Sequence, residues 1–591
     1  METSADEAIE LSESQAAVTT AETMSKTGLS VADALYILVV LAAAVMRLTS
    51  LGRIPLSPIE AQEALASWQF LQSGPNLIDA GSPAYLTLTS LLMPFIGISD
   101  VTARLVPAMF GLGLVMLPWF LRDRLGQIGA VVTAALFAVS PLYASVSRTA
   151  GGDAIALFAI LLAIVAVLGL REGGSDSWIY TLAGAMGLGF SSSPLFYSGV
   201  ITLIIARIAQ QKICPEQERN YWPERSKIIK AVIFGGLLLV ALSTRFFTHL
   251  AGFGSATQMF ADWLAQFSLQ GDLQSLLSPF LILGRYEIVL LPLGIFAILW
   301  AIWRNHPLGT LFTYWLLAIM ILMLLQRGVL NNALLVPLAG YLLLGLASNH
   351  LLRREGNRWT WIISGIVLFL GAIVLVNVAR FLRVSAVEQQ AANLWIAMMA
   401  LGAVVFVIYY FWTAHEMAIL QGLWLGVLAL LLLYQWGTAW NLTHVTANDP
   451  RESWVEKATD DEIKLLLRSL QDISRNATNS DSDISIFSSV DSPVLRWYLR
   501  DFGQAQFGQT LPPGAQHEVI ISPATAVEPA LGDDYLGGDF GLLLAKTVDA
   551  PLSSTPVLDA LRWSLFHESA RGLMEERIIL WVRADLAQPQ Q

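Results

Sequence analysis

The chain repeatedly offers mostly apolar runs about as long as a helix must be to cross a bilayer, and this restricts its fold more than any other feature. A hydrocarbon core of about 30 Å takes roughly 20 helical residues. Residues 31–51, 232–247 and 361–378 are such runs, with their few charges lying near the ends. In lipid, only helices and closed barrels satisfy every backbone polar group. The runs are continuous, without the alternation of barrel strands, so helices are expected. Composition agrees: hydrophobic residues make up 55% of the chain and charged ones 14%, against roughly 25% charged in an ordinary soluble domain.

Charge divides the chain into parts. Residues 441–591 hold 22 Asp/Glu against 12 Lys/Arg, and residues 1–30 hold six acids against Lys26. The stretch between them carries 22 basic and 18 acidic residues. An acidic tail domain on a mildly basic membrane body is expected, with no basic face for nucleic acid. Residues 1–30 lack the basic start and short apolar core of a cleaved signal and read as a disordered cytoplasmic leader. The single cysteine, Cys214, cannot form an internal disulfide.

Basic clusters orient the membrane part. Arg122 and Arg124, the group from Lys212 to Lys230, and Arg353, Arg354 and Arg358 fall in three loops. Placing all three inside gives about thirteen spans, with the N-terminus inside and residues 441–591 outside. The spans are 31–51, 104–121, 128–146, 154–170, 178–190, 194–210, 231–247, 286–303, 309–325, 329–347, 360–379, 393–412 and 417–436. Residues 84–96 start after Gly81-Ser82-Pro83 and stop at Gly97, too short for a span. The first outer loop, 52–103, should therefore carry two interfacial helices, at 60–71 and 84–96. Long early loops of this kind commonly carry function. Arg285 and Glu287, at a span start, read as interfacial anchors.

In residues 441–591, Thr459-Asp-Asp-Glu462 has the pattern of a capping box opening a helix to about Ile473, with Ile463, Leu466, Leu467 and Leu470 on one face. Strands are expected at 484–487, 519–521 and 578–582, and helices at 493–500 and 557–568, giving a small α/β domain. It has no GxGxxG, P-loop or paired Cys/His site, which favours docking or acceptor handling over separate catalysis.

The order of elements in residues 40–170 resembles the N-terminal module of the GT-C glycosyltransferases, membrane enzymes that use polyprenyl-phosphate-linked sugars and include protein mannosyltransferases and aminoarabinose transferases. The residues that carry it are Arg47, Leu51-Gly52, Pro55-Leu56, Ile59-Glu60, Gly81-Ser82-Pro83-Ala84-Tyr85, Gly97, Ala103-Arg104-Leu105, Gly111, Ser140-Pro141, Ser147-Arg148 and Asp153. With Asn448-Asp449-Pro450-Arg451-Glu452 and Trp497-Tyr498-Leu499-Arg500-Asp501, the chain is most similar to the mannosyltransferase-like family named for association with flippase activity in archaeal N-glycosylation. The fold so implied is mainly α, a polytopic GT-C-like membrane domain with a small extracytoplasmic α/β domain, located in the plasma membrane. The implied reaction moves a mannose-like sugar from a polyprenyl phosphate to a protein or glycan acceptor at the outer face. It needs no metal or other cofactor.

In such enzymes a first-loop carboxylate accepts the proton of the acceptor hydroxyl, a contribution of roughly 10²–10⁴ in rate, and cations meet the growing charge of the leaving phosphate. The resemblance implies Glu60 as base, Asp153 as supporting acid, and Arg148 and Arg327 facing the lipid phosphate. Glu63 and Tyr85 join the substrate-binding set. An enzyme requires Glu60, Asp153 and Arg148 to converge on one cavity. The chain departs from the family where Ile59 replaces Asp, Glu63 stands at a His position, Ser193-Pro194 replaces Lys-Glu, and Gln326-Arg327 replaces Glu-Lys. These losses support an alternative, a catalytically degenerate paralogue acting as scaffold. In that case Glu60 would be a helix-start acid, Asp153 a structural partner of Arg148, and Arg327 an ordinary loop residue.

Overall fold

The computed structural model describes residues 30–72, 81–171, 175–213, 223–248, 252–267, 272–353, 357–384, 386–509, 517–525, 531, 534–546, 557–567 and 572–587. The leader before Ser30 and part of the loop between Lys212 and Lys230 lie outside these residues.

Among the described residues, nine helices are long and apolar enough to cross a membrane, from Val31–Leu48 to Glu416–Val445. A tenth span arises if Leu273–Tyr286 and Ile288–Arg304, bent by 92° at their junction, count as one. Three further expected spans are helices of another kind. Gln127–Val139 has 13 residues and ends where Ser140 caps a separate short helix, Pro141–Val146. Ser177–Phe190 has 14 residues. Pro194–Ile213 has 20, but its last two turns hold Arg207, Gln210, Gln211 and Lys212. Apolar helices thus cover the expected positions, with 393–412 and 417–436 falling inside one helix, Val387–Trp440, rather than in two, and among the described residues length and composition support nine or ten spans.

The bend centres on Glu287, which is fully buried. Its carboxylate accepts hydrogen bonds from Ser140 Oγ at 2.6 Å, Gln435 Nε2 at 2.5 Å and the Tyr341 hydroxyl. Glu287 therefore ties four segments together and is no interfacial anchor. Arg285 reaches outward, over the Trp563 ring and onto Ser453.

Both first-loop helices form as expected, over Pro58–Leu71 and Pro83–Ile96. Ser57 caps the first in a reciprocal box with Glu60, and Ser82 caps the second; each has Pro at its start, where a missing N–H costs nothing. Two helices between the spans, Gly252–Ala265 and Leu273–Tyr286, were not expected from the apolar runs.

The C-terminal domain is a six-stranded mixed sheet among the described residues: β1 Lys457–Thr459, β2 Ile486–Ser488, β3 Ala505–Phe507, β4 Val519–Pro523, β5 Tyr535–Lys546 and β6 Leu573–Arg583, in the order β1-β5-β6-β4-β2-β3. Strands β2, β3 and β4 pair in parallel; the other pairings are antiparallel. The expected helix runs over Glu462–Thr478 and buries Ile463, Leu466 and Leu470. The capping box at Thr459 does not form. Thr459 belongs to β1 and donates its hydroxyl to Leu56 O at 2.6 Å, while Asp460 Oδ1 accepts from the Glu462 N–H at 2.9 Å.

This domain shares a core with the first loop. Leu56, Leu65 and Tyr85 belong to the same buried cluster as Ile463, Leu470, Trp497 and Val519. Asp100 fastens the joint, accepting from Trp497 Nε1 at 2.9 Å and the Tyr498 hydroxyl at 3.0 Å. The Tyr498 oxygen in turn accepts from the Leu56 N–H at 3.0 Å.

Candidate active-site cleft

A cleft of ≈ 520 Å³ opens where the first-loop helix Pro58–Leu71, the turns at 145–153 and 192–194, the segment 328–331 and residues 454–457 of the C-terminal domain meet. Close backbone contacts hold its floor. The Ala84 N–H donates to Ser191 O at 2.7 Å. A Cβ at Gly152 would stand 2.0 Å from Ser192 O and 2.3 Å from Ser82 Oγ, so only glycine fits there.

Three of the acids that line this cleft have different surroundings. Glu60 is saturated. Its Oε1 accepts from Arg104 Nε at 2.8 Å and the Ala150 N–H at 3.0 Å, and its Oε2 accepts from Arg104 Nη2 at 2.7 Å and the Ser57 N–H at 2.9 Å. A carboxylate offers about four lone-pair sites, and all are used. Burial pushes this carboxyl up, but Arg104 with the Ser57 and Ala150 N–H groups outweighs it and holds the group below the usual range. The geometry therefore does not meet the expectation that Glu60 accepts a substrate proton.

Glu63, one turn further along the helix, is the opposite case. Its Oε2 is buried and has no hydrogen-bond partner. Burial, with the nearby Asp153 charge adding to it, pushes the carboxyl up to about 7 against the pull of the Gly81 N–H. A carboxylate poised near neutrality with a free oxygen suits proton transfer.

Asp153 starts the helix Asp153–Arg171, where the helix dipole favours an anion. It accepts from the Ser193 hydroxyl and from Asn331 Nδ2 at 2.8 Å. It does not pair with Arg148, so Ser193 and Asn331 fix its orientation.

Arg148 lies beside the cleft, in a smaller adjoining pocket with Glu60 and Arg104. Its guanidinium donates to Met46 O, Arg47 O, Thr49 O and Ser50 O, closing the C-terminal end of the first span. Burial and the neighbouring Arg104 lower it to about 10, so it stays charged, but on helix carbonyls rather than toward a ligand. Tyr85 is fully buried and donates to Ala103 O at 2.8 Å, outside the cleft lining. Neither residue has the position that the resemblance implied.

Arg327 is half-buried, directly before the lining segment 328–331, and its Nε has no hydrogen-bond partner. Its neighbour Gln326 turns inward: Asn332 Nδ2 donates to Gln326 Oε1 at 2.7 Å. Glu60, Glu63 and Asp153 thus line one cleft, and Arg148 does not. Asn331 carried no sequence signal. Ser193 was visible only as a departure, not as the hydroxyl that holds Asp153.

Residues 80–242 match the family model described as dolichyl-phosphate-mannose-protein mannosyltransferase. No curated protein matches the sequence. Among solved structures, the chain is similar to ArnT from Cupriavidus metallidurans bound to undecaprenyl phosphate, with a TM-score of 0.52 and 15% identity over 94% of this chain and 99% of that one. The apo form of the same protein gives a TM-score of 0.54 and 14% identity over 95% and 100%. The chain is a multi-pass membrane protein with an ArnT-like fold, within which residues 80–242 carry the match to the mannosyltransferase family model.

Proposed function

We propose that the protein is a membrane glycosyltransferase that moves one sugar, mannose-like in view of the family match, from a polyprenyl phosphate to an acceptor hydroxyl at the outer face of the plasma membrane. The observation that carries this reading is the pairing in one cleft of Glu63, with a free carboxylate oxygen, and Asp153, held by Ser193 and Asn331. The fold match to a protein solved with undecaprenyl phosphate supports a lipid-linked donor.

In this reading Glu63 is the base. As the acceptor oxygen attacks the anomeric carbon, its proton passes to Glu63 and the bond from that carbon to the phosphate oxygen breaks. The polyprenyl phosphate leaves with the bonding pair, and Arg327 answers its charge. Asp153 orients the acceptor or the sugar. Glu60 and Arg148 hold the first loop and the first span in place. The N-terminus lies in the cytoplasm and residues 441–591 lie outside, so the cleft opens on the face where the donor's phosphate is presented.

One observation favours a scaffold instead. Gln326, where the family has a charged pair, is closed into an uncharged network with Asn332 and Ser198. Incubating the purified protein with a panel of labelled polyprenyl-phosphate sugars decides between the two. Release of polyprenyl phosphate with labelled product supports the transferase. A folded protein that releases none from any donor favours the scaffold.

A further inference from the structure

Resting on the transfer reading, we infer that Lys457 of the C-terminal domain is a second cationic contact for the donor's phosphate, from inside the cleft and opposite the Arg327 segment, so that this domain completes the site. The cleft lining holds four acids, Glu60, Glu63, Asp153 and Glu456, and Lys457 is its one lysine or arginine among the described residues. Arg104 already neutralises Glu60. The remaining carboxylates repel a phosphate, because like charges in a partly buried site are poorly screened. An anion enters such a cleft only beside a cation.

Lys457 is placed for that task and has no other. It sits on β1, which pairs with β5 in the register Lys457↔Ala545. Alternate residues of a strand share a face, and Thr459 on that face reaches Leu56 O at 2.6 Å, beside the lining residue Ser57. Lys457 itself is exposed and lines the cleft. Its ammonium makes no ion pair or hydrogen bond with any described residue. Lys464, in the first turn of the next helix, is already committed to Gly52 O and Arg53 O at 2.6 and 3.0 Å. A flexible four-carbon stem with a compact charge suits a phosphate that must arrive and leave.

The test uses the full chain with Lys457→Gln and Lys457→Arg. The readouts are binding of undecaprenyl phosphate at several salt concentrations, KM and kcat for the lipid-linked sugar, and thermal unfolding. Lys457→Gln should weaken undecaprenyl phosphate binding and raise the donor KM by about tenfold or more, and should flatten the salt dependence of binding. Lys457→Arg should restore most of the affinity, and neither variant should change the melting temperature. Wild-type binding and salt dependence in Lys457→Gln would overturn the proposal. If the wild type transfers no sugar yet binds undecaprenyl phosphate through Lys457, the transfer reading fails and this contact stands.

Discussion

Arg104 and Glu60 form a two-point ion pair inside the protein, Nε to Oε1 at 2.8 Å and Nη2 to Oε2 at 2.7 Å, with side chains 8% and 6% exposed. The pair joins the start of the first-loop helix to the span Asp100–Leu125. Arg104 also donates to Leu51 O, Ile54 O and Pro55 O, so one guanidinium shapes the whole entry to the loop.

Breaking one side of such a pair strands the other charge in a low-dielectric site. Glu60→Gln should destabilise the protein by about 3–5 kcal/mol, seen as a clear fall in melting temperature in detergent. Replacing both partners, as Glu60→Gln with Arg104→Met, should cost less than the two single changes summed. Additive losses would mean that the two side chains do not depend on each other.

The joint at Asp100 invites a second test. Tyr498→Phe removes the donor to Asp100 and the acceptor of the Leu56 N–H. A buried group left unpaired costs about 1–3 kcal/mol. The variant should expose the C-terminal domain to protease more readily than the wild type, with the spans intact. Unchanged proteolysis would show that the shared apolar core alone holds the domain.

Orientation gives a third prediction. In sealed vesicles of known sidedness, protease added to the outer face should cut residues 441–591 and spare the loop between Lys212 and Lys230. The reverse pattern would place the cleft on the cytoplasmic side and remove it from an outer-face acceptor.

Much of this architecture is readable without coordinates, and the exceptions have physical causes. Long apolar runs announce spans directly, and the short run at 84–96 was separable because Gly81-Ser82-Pro83 and Gly97 bound it. Gly252–Ala265 and Leu273–Tyr286 escaped because their apolar residues are spread over one face and never form a long run. Strand β5 escaped because Gly537, Gly538 and Gly541 argue against a strand, yet eleven register pairs with β6 override that preference. At the site, the cleft acids were nameable but their roles were not. Ser57-Pro-Ile-Glu60 is a local capping pattern, whereas the Arg104 that saturates Glu60 lies 44 residues away. What separates Glu63 from Glu60 is the count of donors around each carboxylate, which only the folded chain supplies.

The central claim is that Glu63 accepts the acceptor's proton, and the pH dependence of sugar transfer by wild type and Glu63→Gln tests it most directly. The base must be ionised to act, and burial with the Asp153 charge pushes its carboxyl up to about 7. Wild-type kcat should therefore rise with pH through about 7 and level off above it. Glu63→Gln should lower kcat by about 10²-fold or more, should abolish that rise, and should leave undecaprenyl phosphate binding intact. Transfer by Glu63→Gln at the wild-type rate, with the same pH profile, would contradict the account.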